Sequence, residues 1–112
     1  MMSEEAIQID DKVLLILAAK AMGVTFEDHY DDDEYWLWIE ETQDFWNPLA
    51  DDGDALRLMV ELMIHVRFWD AFVSADTFDP RKFHEEMYAD DRCAAARRAI
   101  VIAAAEMGRE MK

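Results

Sequence analysis

One cysteine, Cys93, is all that the 112 residues contain, so an internal disulfide is excluded. Glycine and proline are almost as scarce, at three and two. That leaves no room for a Gly/Pro-rich linker, and no low-complexity tract or internal repeat is present. No apolar run approaches the roughly 20 residues of a membrane-spanning helix. The N-terminal residues MMSEEAIQIDDK are acidic where a secretory signal is basic, so a cytoplasmic protein is expected. Cations are the most unevenly missing. Residues 1–54 hold sixteen Asp or Glu against two lysines, Lys12 and Lys20, and no arginine. Residues 55–112 hold ten acids against nine Lys or Arg, so nearly the whole net charge of −15 belongs to the first half. Phosphate binding needs clustered Lys and Arg, so nucleic acid as a direct ligand and anionic membranes as a docking surface are both excluded. Salt adaptation would spread acid over the entire chain, and here it is confined. A basic protein surface is the natural partner.

What is abundant is apolar. Hydrophobic residues make up 53%, with four Trp, six Phe and eight Met. That is enough apolar surface to offset the ordering entropy of one domain spanning residues 1–112. The pattern predicts α+β, in the order α-β-α-β-α-α, with helices packed on a small two-stranded, antiparallel sheet. Asp10 or Asp11 is placed to cap a helix through KVLLILAAKAM that ends at Gly23. An acidic loop follows. YWLWI then reads as a strand, with Tyr35, Leu37 and Ile39 on one face and Trp36 and Trp38 on the other. Asp51 and Asp52 cap and charge a helix from about Gly53 to Met63, whose periodic residues are Leu56, Met59, Val60 and Met63. IHVRFWDAF reads as a second strand, with His65, Arg67 and Trp69 opposite Ile64, Val66 and Phe68. Asp79-Pro80 predicts a short helix over PRKFHEEMY. Asp90 or Asp91 caps the last helix, with an inward stripe of Cys93, Ala96, Ile100, Ala103 and Met107.

Two segments carry a resemblance. WNPLADDGDALRLMVEL (Trp46 to Leu62) and AAARRAIVIAAAEMGREM (Ala94 to Met111) cover about a third of the chain. Together they resemble a group of small bacteriophage and prophage proteins with a WNPL-x-DDGDALRL segment and an RRAIV-x-AAAE-x-G ending. The resemblance implies a phage or prophage origin rather than an activity. The group's ending has a basic residue where this chain has Ile102. Its variable part holds the Asp31–Glu34 run and YWLWI, which makes the acidic half this chain's own elaboration.

The candidate site is the stretch HYDDDEYWLWIEE, His29 to Glu41, and its flank. Asp31, Asp32, Asp33, Glu34, Glu40, Glu41 and Asp44 would form a negative surface. Trp36 and Trp38 would be its apolar anchors. The opposing structural reading has a solvated acidic loop and both tryptophans in a core covered by helices. Asp51, Asp52 and Asp54 lack the spacing of a calcium loop and are better read as helix caps. His29, His65 and His84 match no zinc spacing, and Cys93 has no adjacent base and reads as a buried thiol. No metal, cofactor or catalytic residue is therefore assigned. Arg97 and Arg98, with Arg92, read as counter-charges for the acidic half. The expectation is a non-enzymatic phage-type protein whose acidic half binds a basic surface on a bacterial complex. An inhibitor of a nucleic-acid-binding defence system, anti-CRISPR or anti-restriction, is its most concrete form. The alternative is a structural or assembly homodimer that buries its aromatic and Met-rich surfaces, and the remaining one an enzyme that uses paired carboxylates with a metal.

Overall fold

The computed structural model describes residues 4–31 and 34–111. Three helices frame two three-stranded antiparallel sheets. α1 (Glu4–Met22) leads into β1 (Phe26–Asp31), β2 (Glu34–Ile39) and β3 (Asp44–Trp46). α2 (Asp52–Glu61) then leads into β4 (His65–Phe68), β5 (Phe72–Asp76) and β6 (Phe83–Met87), and α3 (Arg92–Arg109) closes the chain. Both sheets are meanders, so every strand pairs with its sequence neighbour.

The expected two-stranded sheet is thus replaced by two sheets, for three physical reasons. First, FEDHYD is not part of an acidic loop. It is β1, because all six residues pair with β2 from Phe26↔Ile39 to Asp31↔Glu34. Cross-strand pairing against an aromatic strand outweighs the poor strand propensity of Asp and Glu. Second, the single strand expected over IHVRFWDAF is a hairpin. The Trp69 N–H donates to the Phe72 carbonyl at 2.9 Å, and Asp70-Ala71 turn the chain. Third, the helix expected over PRKFHEEMY is a turn followed by β6. Asp79 uses its own carboxylate on the Arg81 N–H, and the Thr77 hydroxyl donates to the Lys82 carbonyl at 2.7 Å. The proline therefore starts a turn, not a helix.

The helix ends are nearer to expectation. Asp51 caps α2 by accepting the Asp54 N–H at 2.8 Å, and Asp91 caps α3 by accepting from Cys93 and Ala94. Gly23 ends α1 at φ +72, where any side chain would be strained. Asp10 and Asp11 are not caps, because α1 begins a turn and a half earlier, at Glu4.

The core centres on α1 against α3. Ala18 and Ala19 of α1 and Ala99, Ala103 and Ala104 of α3 are all fully buried in the core where the two helices pack. These small side chains let the two helices approach closely. The expected α3 stripe holds at Ile100 and Ala103, while Cys93 is exposed and Ala96 and Met107 are half-buried. The buried face is wider because α3 also packs on α2, β5 and β6, which draws in Ala95, Val101 and Ala105. α2 is rotated from its expected setting. Ala55 and Leu58 are buried, whereas Leu56, Val60 and Met63 face outward. No helix among the described residues is long and apolar enough to cross a membrane.

Candidate protein-interaction surface

The first sheet has two chemically distinct faces. Tyr35, Leu37 and Ile39 alternate on the inner one, where Leu37 and Ile39 are buried with Leu14, Leu15 and Trp46. The Lys12 ammonium lies 5.6 Å from the centre of the Tyr35 ring. Burial pushes the Tyr35 phenol up, and its hydrogen bond to Asp28 at 2.9 Å adds to the effect. Trp36 and Trp38 alternate onto the outer face and are half-buried. On that face Phe45 meets Trp38 edge-on, with ring centres 5.0 Å apart, and His29 lies 4.8 Å from Phe45 on its other side. The tryptophans therefore belong to an aromatic patch on the sheet, not to a helix-covered core. The patch holds its side chains in fixed geometry, since the Trp38 indole donates to Glu40 at 3.0 Å.

Carboxylates flank this patch along the chain. Asp31 and Glu34 are direct cross-strand partners at the end of the β1–β2 hairpin, and Asp32 and Asp33 lie outside the described residues. Glu40, Glu41 and Asp44 follow β2 and are exposed. Glu41 has a structural task as well. Both its oxygens accept the Thr25 N–H, at 2.9 and 3.0 Å, which joins the start of β1 to the end of β2. That bond holds the Glu41 carboxyl below its ordinary value. Asp44 accepts the Phe45 N–H at 2.8 Å. His29 opens the candidate stretch and Phe45 lies just beyond it, but neither is marked by the sequence as part of the aromatic surface. Once β1 and β3 are recognised, their period-two alternation with Trp36 and Trp38 is the signal that finds them.

Lys12 lies at the first sheet, whereas other cations are used elsewhere. Arg97 donates to the Leu49 carbonyl at 2.9 Å and to Asp52 at 2.6 Å. Arg98 pairs with Asp11 at 2.7 Å, Arg57 with Asp54 at 3.0 Å, and Lys82 with Glu110. Arg92 lies over the Tyr88 ring, 5.0 Å from its centre. Among the described residues, Glu27, Asp28, Glu40, Glu41 and Asp44 form no ion pair. Negative potential is thus concentrated at the first sheet.

The segment Trp46–Leu58 has a structural role. Pro48 is fully buried. The Asn47 amide donates to the Tyr35 carbonyl at 2.9 Å, while its oxygen accepts the Leu49 and Ala50 N–H groups. The buried Asp54 accepts the Asn47 N–H at 2.9 Å. This knot ties the first sheet to the start of α2 and sets which face of α2 turns inward. Arg97 reaches it from α3, so the two segments that carry the sequence resemblance meet in space. Asp51, Asp52 and Asp54 each have a separate partner and do not converge on a metal. Among the described residues no group of three potential ligands is found. His29 is against Phe45, His65 is exposed on β4, and His84 is 2.7 Å from Glu86. No family model, curated protein or solved structure matches the chain.

Proposed function

We propose that the protein is a non-enzymatic protein of bacteriophage type, acting in the bacterial cytoplasm, that docks its acidic hairpin on a basic surface of a host protein complex. One observation carries this reading. Arg57, Arg97, Arg98 and Lys82 pair with carboxylates elsewhere in the fold, while among the described residues Glu27, Glu40, Glu41 and Asp44 of the first sheet form no ion pair and lie beside an outward aromatic patch. Charge of one sign speeds encounter with an oppositely charged surface, and aromatic anchors slow release. A channel that binds DNA or RNA is the basic surface favoured here, as in a CRISPR effector or a restriction enzyme.

The test is capture from a nuclease-treated bacterial lysate at low salt. The protein is compared with a variant carrying Asp31→Asn, Asp32→Asn, Asp33→Asn and Glu34→Gln. The native chain is expected to retain a nucleic-acid-binding complex, and the variant at least tenfold less of it. Identical profiles would overturn the proposal.

A further inference from the structure

The second sheet presents an outer face whose side chains form a three-by-three array fixed by strand register. Its middle row is Arg67, Ser74 and Glu85. One flanking row is His65, Asp76 and Phe83, and the other is Trp69, Phe72 and Met87. The helices lie on the opposite side, where Val73 and Ala75 are fully buried. Large apolar groups nevertheless stand out on this face, with Phe83 53% and Met87 67% exposed. Trp69 lies flat on the sheet. Its indole points at the Ser74 hydroxyl at 3.4 Å and its ring stacks on Phe72 at 5.9 Å. At the His65 end the face opens into a cleft of 590 Å³, walled in part by Phe78.

We infer that this face joins two copies of the chain, sheet against sheet, about a two-fold axis that runs along β5. The argument is self-complementarity. A two-fold axis lying in an interface and parallel to the central strand brings each edge strand over the opposite edge strand of the second copy. Arg67 then faces Glu85 of the second copy, and Glu85 faces its Arg67. Trp69 faces Met87, a favourable sulfur–aromatic pairing. His65 faces Phe83 and Phe72 faces Phe72, while Ser74 is buried and makes no contact across the pair. Asp76 against Asp76 is the one like-charge contact, and Arg67 lies 3.9 Å from that carboxylate within each chain. The alternative two-fold axis, across the strands, would set Arg67 on Arg67 and Glu85 on Glu85. Charge thus selects one arrangement of the pair. Aligned sheets pack about 30° off parallel, which keeps this register near the axis. A face this small belongs with weak, transient interfaces, so a micromolar dimer is expected.

Sedimentation equilibrium over a concentration series tests the inference. The native chain is expected to dimerise with a micromolar constant. Arg67→Glu alone sets two acids across the interface and Glu85→Arg alone sets two bases, and each is expected to weaken association at least tenfold. Both residues are exposed on the surface, so circular dichroism and the urea midpoint confirm that each variant is folded. An equimolar mixture of the two variants is expected to restore the dimer, because each then meets its complement. A native chain that stays monomeric at millimolar concentration would overturn the inference. So would variants that dimerise like the native chain, or a mixture that stays monomeric. The hairpin of the first sheet takes no part, so this outcome is independent of lysate capture.

Discussion

Gly108→Ala is expected to cost about 3 kcal/mol of stability, one of the two largest losses we expect from a single substitution in this chain. A Cβ at Gly108 would fall 1.9 Å from the Leu17 carbonyl oxygen and 2.8 Å from its carbon. Both are backbone atoms of α1, so no rotamer change can make room. The helices must separate, and the alanines that line their contact lose packing together. Overpacking usually costs about 1–3 kcal/mol, and a backbone obstacle places this site at the top of that range. The expected drop in Tm is about 13 °C. Gly53→Ala is the control. Its Cβ would meet only side-chain atoms, the capping oxygen of Asp51 at 3.2 Å and the tip of the exposed Arg57 at 3.3 Å, so a small shift of side chains and no backbone movement makes room. A change within about 1 kcal/mol is expected there. Equal losses at the two glycines would contradict a close α1–α3 approach.

Asn47→Ala is expected to cost a similar amount, about 3 kcal/mol, by another mechanism. Its side chain makes three hydrogen bonds, to the Tyr35 carbonyl and from the Leu49 and Ala50 N–H groups. At about 1 kcal/mol each, their loss also frees the turn that positions α2. Urea unfolding measures the cost. Binding per folded molecule should be unchanged, because the hairpin and its aromatic patch keep their own bonds. A variant with native stability and no binding would make Trp46–Leu58 a recognition site, not a structural knot.

How much of this was legible in the sequence follows from the range of the forces involved. Asp51, Gly23 and Asp91 act on backbone groups within a few residues, and sequence alone marks them. The alternation of Tyr35, Leu37 and Ile39 against Trp36 and Trp38 is equally local. β1 was hidden because its residues form a strand only through β2. β6 was hidden because Asp79-Pro80 starts a helix as readily as a turn, and Thr77 and Lys82 decide between them. The rotation of α2 depends on Asp54 meeting Asn47, a polar contact that outweighs the apolar periodicity of Leu56, Val60 and Met63. For the surface, composition located the acids. The bonds of Glu41 to Thr25 and of Glu40 to Trp38 needed the fold.

The central claim is that the acidic hairpin occupies a nucleic-acid site on its partner. Competition tests it most directly. The captured complex is titrated with duplex DNA or RNA, and the amount of protein still bound is measured at low and at physiological salt. We expect the nucleic acid to displace the protein, and the affinity of the protein to fall steeply with salt, since exposed charges are screened beyond about 8 Å at physiological ionic strength. Protein and nucleic acid bound together, with an affinity indifferent to salt, would contradict the account.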